Sequence, residues 1–341
     1  MLTANVDINH RQHRPSSTER IILTRNGALD VLKIVMALMV VGLHAGFLAN
    51  FSAVGSYLLV NGLFRIAVPT FLLINGYFFY QSISRGLATQ WFKRVIQLYA
   101  FWMLIYSPYW LPDLTQGYPV FIAGLIRYIF LGYFHLWYLA GMIGAAIVTM
   151  ILARSGTRLL VISSIFAVSL GIAIQYADGY GLINSGFLRE LAHFKTSHRN
   201  FLLFSFPFFC IGFLINKHQL QRHLTFKSAL ITTVVAIALL LIESYSNFAR
   251  LGSSDPFDNL IALVLACPAI FVLFIKTNIQ TDSKNLALYS TGIYLSHILI
   301  MSFISNIIKT TPTTLAIVTA ALAALATSAL IKMNKKFSFI L

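Results

Sequence analysis

Arg25-Asn-Gly-Ala-Leu-Asp30-Val-Leu-Lys33-Ile-Val-Met-Ala-Leu-Met-Val-Val-Gly-Leu-His44 is the stretch on which the fold turns. From Val31 to Leu48 nearly every residue is apolar, a run long enough to cross a bilayer as a helix. Lys33 and His44 interrupt it near its two ends. They stand eleven positions apart, which at about 100° per residue is roughly three turns, so both project from one helix face about 16 Å apart along the axis. Asp30 lies one turn before Lys33 on nearly the same face. Ionisable groups within a span are costly and usually face the protein interior. A snorkelling lysine and an interfacial histidine would also satisfy the pattern, so this helix alone leaves both readings open.

Working outward, the same character continues. The chain has 341 residues, 58% hydrophobic and 10% charged, with a mean hydropathy of +0.77. That composition excludes an ordinary soluble domain and points to an all-α polytopic membrane protein. Ten hydrophobic segments are expected, at roughly 28–48, 56–81, 91–111, 134–153, 158–176, 200–216, 227–244, 257–275, 286–308 and 313–331. The apolar stretch Val120–Leu131 is short and reads as interfacial or re-entrant. The expected division is a polar N-terminal tail at 1–26 without a signal-peptide core, a transmembrane domain at 27–331 and a C-terminal tail at 332–341. Cys210 and Cys267, both in apolar runs, suggest neither a disulfide framework nor a metal site and read as small core residues.

Basic residues set the expected orientation. With a cytoplasmic N-terminus, seventeen Lys and Arg fall on the inner side and six on the outer side, leaving Lys33 and Arg65 inside helices. Both termini are then cytoplasmic. The net charge of +15 is topology signal plus attraction to anionic lipid, so no nucleic acid is needed to explain it. Lys33 sits at the cytoplasmic side and His44 near the outer side, a geometry that suits a ligand with an anionic head and a long thin arm, such as a coenzyme A thioester.

The second segment carries Asn61-Gly-Leu-Phe-Arg65-Ile-Ala-Val-Pro69-Thr-Phe-Leu-Leu-Ile-Asn75-Gly76-Tyr77. Arg65 lies about three turns into the apolar run, and an arginine at that depth needs an anion or several acceptors. Pro69 and Gly76 are expected to loosen the helix.

At this point the chain resembles a known family, the acyltransferase-3 membrane proteins. Lys33, ten residues, then His44 is similar to that family's basic-residue-x10-His signature, with Asp30 three residues before the base. Arg65 through Tyr77 resembles its second-helix motif. His135-Leu-Trp137-Tyr138-Leu139 and Tyr294-Leu-Ser296-His297 resemble two further motifs, in the same order along the chain. Two positions depart from the pattern. Lys33 stands where many members carry Arg, which removes a planar fork for phosphate. Asn75 stands where Ser is usual. A hydrolase domain of the SGNH type, appended in some members, is not expected here.

The resemblance implies an acyl-CoA-dependent O-acyltransferase of a bacterial inner membrane. Acetyl-CoA or a related thioester is the implied co-substrate, with no resident cofactor. The implied acceptor is a hydroxyl of a surface glycan or its lipid-linked saccharide precursor. His44 is the expected general base, or alternatively the site of a covalent acyl intermediate. Arg65 is expected to hold the oxyanion or the donor carbonyl. Lys33, helped by Arg25 and fixed by Asp30, is expected to hold CoA phosphates. His135, Trp137, Tyr138, Tyr294 and His297 are candidates for acceptor contact or for support behind it. An aromatic belt remains open for His135, and a helix-to-helix hydrogen bond is expected for His297. The outer loop Ala177–Asn200, with Arg189, Glu190 and Arg199, is the candidate acceptor lid. Glu243 and Asp258 are expected either to cap helices or to orient His44. The competing reading is a secondary transporter or exporter of a glycan precursor.

Overall fold

The computed structural model of the chain describes residues 25–341 apart from 184–185, 254–255, 278 and 282–284, and the backbone only of 25, 116, 280 and 281. Most of the expected N-terminal tail, with Arg11, Arg14 and Arg20, lies outside these residues, as does the side chain of Arg25. The described residues form helices in the order α1 (Gly27–Ala45), α2 (Ala53–Val60), α3 (Ala67–Ser84), α4 (Ala88–Ile105), α5 (Ser107–Trp110), α6 (Tyr118–Leu131), α7 (Trp137–Arg154), α8 (Thr157–Gly179), α9 (Gly186–His193), α10 (Lys195–His198), α11 (Phe206–Lys217), α12 (Phe226–Leu251), α13 (Leu263–Lys276), α14 (Asn285–Ile307) and α15 (Pro312–Asn334). Two-residue strands β1 (Arg25–Asn26) and β2 (Gln280–Thr281) pair antiparallel. This is the all-α polytopic membrane architecture that the hydropathy implies. Seven segments among the described residues are long and apolar enough to cross a membrane, while Phe201–Lys217 and Leu263–Lys276 are apolar but shorter.

α1 is fixed at both ends by its own sequence. Asn26 caps it, its Oδ1 accepting from the Ala28 amide at 3.0 Å and the Leu29 amide at 3.4 Å, as N-cap residues do. The same side chain donates to the Phe274 and Ile275 carbonyls at the end of α13, at 3.3 and 3.2 Å. Gly46, with φ +70°, closes the C-terminus, a left-handed conformation that glycine adopts without strain. α1 packs chiefly against α14, and α3 against α11. Gly76 of α3 faces the Phe209 carbonyl so closely that no Cβ would fit, and Gly212 of α11 meets the Leu73 carbonyl in the same way.

Three expectations need correction. Gly76 does not loosen the second segment; it lets α11 approach. Pro69 sits in the first turn of α3, where a proline costs no internal hydrogen bond. The real interruption is earlier, at Asn61–Gly62, followed by a 3-10 turn at Leu63–Ile66 that carries Arg65. At the other end, α15 runs past the expected boundary to Asn334, and the residues after it do not trail away. Ile340 and Leu341 are buried, and the Trp102 indole donates to the Ile340 carbonyl at 3.0 Å.

Candidate active site

The C-terminal end of α1 delivers His44 into a group of rings contributed by three separate segments. Its imidazole centroid lies 4.9 Å from Phe134 and 5.4 Å from His297. His297 is in turn 5.1 Å from His135, which stands 5.0 Å from Tyr106 and 5.6 Å from Tyr294. His44 is half-buried, and its imidazole makes no hydrogen bond among the described residues. His135 is fully buried, with Nε2 3.3 Å from the Leu295 carbonyl. A carbonyl only accepts, so Nε2 carries the proton and Nδ1 is the bare nitrogen. Tyr294 donates its hydroxyl to the His135 carbonyl at 2.7 Å, joining the His-Leu-Trp-Tyr segment to the late Tyr-Leu-Ser-His segment. The aromatic-belt reading of His135 is therefore corrected: the ring points into the bundle. His297 is corrected too. Its Nδ1 lies 2.6 Å from the Tyr294 carbonyl of its own helix, and Nε2 has no partner among the described residues.

Beside these rings lies an ion network. Arg65 pairs through Nη1 with Asp258 and donates through Nη2 to Asn61 Oδ1 at 2.9 Å. Arg199 reaches the other Asp258 oxygen at 3.3 Å, and its guanidinium lies over the Trp137 ring, 5.0 Å from the centroid. One carboxylate thus serves two cations. The charges of Arg65, Arg199 and Asp258 all act on the His44 imidazole. Arg65 Nε is buried and unpartnered among the described residues. Asp258 therefore does not cap a helix; it holds Arg65. Glu243 instead holds the turn just before α13. Its two oxygens accept from the Ile261 amide at 2.6 Å and the Ala262 amide at 2.8 Å, and it also takes the Tyr176 hydroxyl. Gln175 Oε1 accepts from the Asn259 amide at 2.7 Å, so α8 and α12 together hold the loop that presents Asp258.

Two cavities approach this centre. At the far end of α1, Lys33 pairs with the buried Asp30 at 3.3 Å. A cavity of about 280 Å³ begins there, between Lys33 and Arg94, and extends past Asn75 to Tyr138 and Tyr294. Asn75 donates to the Tyr138 hydroxyl and to the Phe71 carbonyl, both at 2.9 Å, so its amide ties α3 to α7. On the opposite side, a cavity of about 340 Å³ is bounded by Phe134, Trp137, Arg199 and α9–α10. The expected lid is therefore helical, with Lys195 and Arg199 on the cavity while Arg189 and Glu190 are not among its lining. Ser185, in the same loop, lies outside the described residues.

Arg94, Phe134 and Tyr106 were not singled out by the sequence as site residues, and Arg199 was read only as part of the lid. Arg94 counted only as an inner-side charge. Phe134 holds a left-handed backbone, φ +43°, uncommon for an aromatic residue and often found at functional sites.

A family model described as "Acyltransferase domain" matches residues 26–333 of this chain. Among curated proteins, the chain is 25% identical over 290 residues to a protein named "Serine/alanine racemase" from Enterococcus gallinarum, covering 80% of this chain and 40% of that one. It is 25% identical over 304 residues to an "Amino-acid racemase" from Enterococcus faecalis, covering 84% of this chain and 43% of that one. The chain thus spans about two fifths of the length of these relatives. No solved structure matches it.

Proposed function

This chain belongs to the acyltransferase-3 family, and on that premise we propose that it is a membrane O-acyltransferase moving an acyl group, acetyl foremost, from cytoplasmic acyl-CoA to a hydroxyl of a bacterial surface glycan or its lipid-linked precursor. The observation that carries the reading is the cavity running from Lys33 and Arg94 to Tyr138 and Tyr294. It begins at a basic mouth suited to the phosphates of CoA and ends at a tyrosine bonded to His135 and packed beside His297. A thioester arm lying in it brings its carbonyl towards His44. Asp30 serves the same mouth by fixing Lys33; the side chain of Arg25, the other residue expected to help hold the phosphates, lies outside the described residues.

The chemistry needs a base for a hydroxyl that is a poor nucleophile near neutral pH. His44 takes the acceptor proton as the hydroxyl oxygen forms a bond to the thioester carbonyl carbon. The developing oxyanion is met by the field of Arg65, whose buried Nε–H has no partner among the described residues. The C–S bond then breaks and the thiolate leaves with the proton held on His44. His297 Nε2 offers the acceptor hydroxyl a second, bare acceptor beside the base. Trp137 and Tyr138 shape the approach. The site is set in the inner membrane, with the acceptor met at its outer face. The test is the surface glycan of deletion and complemented cells, compared by NMR. Ester acyl signals restored by the parental gene and not by His44→Ala support the reading; a glycan identical with and without the gene overturns it.

A further inference from the structure

We infer that the outer cavity selects an acceptor bearing a negative charge, a carboxylate or a phosphate, close to the hydroxyl that is acylated. The inference rests on the acyl-transfer reading above and names the acceptor's chemistry. The cavity lies against the catalytic centre through Phe134, which lines it and also packs on His44 at 4.9 Å. Arg127 from α6, Lys195 from α10 and Arg199 line it, and no carboxylate among the described residues does. Arg199 shares Asp258 with Arg65, which leaves that trio one positive charge in excess. Arg127 and Lys195 make no ion pair among the described residues. Much of the remaining wall is aromatic, with Tyr128, Trp137 and Phe194, beside the polar Thr196 and Asn200. A concave site of one charge sign with low-dielectric walls concentrates ligands of the opposite sign, and a few convergent polar groups in an otherwise apolar pocket fix orientation. A neutral saccharide uses the aromatic wall and leaves the cations without a task. An anionic one uses both, and its charge is anchored on the rim while its hydroxyl turns towards His44.

Three disaccharides of matched size test this: one neutral, one carrying a uronate carboxylate and one carrying a phosphate monoester. Each is titrated at saturating acetyl-CoA on the protein in zwitterionic nanodiscs, with binding read separately by calorimetry on the His44→Ala protein. The expected result is a KM at least about tenfold lower for an anionic acceptor, narrowing as salt rises from about 50 mM to about 500 mM. In the Arg127→Gln/Lys195→Gln variant the advantage, read as the ratio of the neutral to the anionic KM, should fall to about threefold or less. The uronate and phosphate arms show which anion is meant. Equal KM values across the three acceptors, or a preference that survives in the double variant, overturn the inference and leave acyl transfer standing. Anion-selective binding with no acetyl transferred to any acceptor overturns acyl transfer and leaves the anion site standing.

Discussion

Asp258→Asn keeps the shape of the side chain and removes its charge, and its cost can be worked from the contacts. Asp258 and Arg65 are 11% and 10% exposed at the side chain, so the pair is buried. Removing one partner of a buried pair strands the other and costs about 3–5 kcal/mol. Arg199 is 28% exposed, and solvent reduces its share to about 1 kcal/mol or less. Asn61 still accepts from Arg65 at 2.9 Å, which favours the lower end, about 3 kcal/mol in all. The guanidinium no longer held beside His44 should also cost about a hundredfold in kcat, the size expected for a misplacement near 1 Å. Thermal denaturation in detergent reads the first quantity and acetyl transfer at saturating substrates the second. The double variant Arg65→Met/Asp258→Leu separates them: with only the partly exposed Arg199 left unpaired, it should recover most of the stability and none of the activity. Parental stability in Asp258→Asn, or a double variant that acylates, refutes the positioning role.

The remaining predictions concern the two ends of the bundle. Lys33→Ala should raise the KM for acyl-CoA with part of the turnover recovered at high donor, because the proposed phosphate contact would be made before and during the reaction; Lys33→Arg should be tolerated. An unchanged donor KM with lost turnover would assign Lys33 to the chemistry instead. With Cys210 and Cys267 replaced, a cysteine at Thr196 should react with an impermeant thiol reagent added outside cells and one at Arg222 should not; the opposite labelling reverses the orientation drawn from the basic residues. Burial, reinforced by Arg199 and Lys195 and opposed by Asp258 and Asp178, holds the His198 imidazole below its usual range. A histidine lowered in the folded state costs nothing above its ordinary pKa of about 6.5 and weakens the fold as pH falls through and below it. The lid should therefore become more open to protease between about pH 7.5 and 5.5 in the parent and stay unchanged in His198→Gln.

Much of the architecture is written in single segments and could be read there. Hydropathy locates the principal helices, Lys33 and His44 fall at opposite ends of α1, and Asp30 meets Lys33 because three residues is one turn. What escaped depends on contacts between segments far apart in the chain. Asp258 finds Arg65 across 193 positions, and a local reading sees only an acid near a helix end. A sharper signal was present: the chain has ten Asp and Glu, so a membrane-embedded arginine has few anions to choose from. The break at Asn61–Gly62 was masked by Pro69, a stronger formal helix breaker that the first turn of α3 absorbs. The lid helices α9 and α10 are polar and short, so they give no hydropathy signal, and Arg199 reads as one lid charge among several until its Trp137 platform and its Asp258 partner are seen together.

The central claim is that donor and acceptor reach His44 from opposite sides of the membrane. The most direct measurement uses proteoliposomes in which the protein is oriented uniformly, labelled acetyl-CoA is confined to the side bearing Lys33, and a saccharide acceptor is supplied only on the side bearing the lid. The account requires labelled ester to accumulate on the acceptor with the parental protein and none with His44→Ala at any donor concentration. Acceptor carried across unchanged, or transfer that persists without His44, would contradict it.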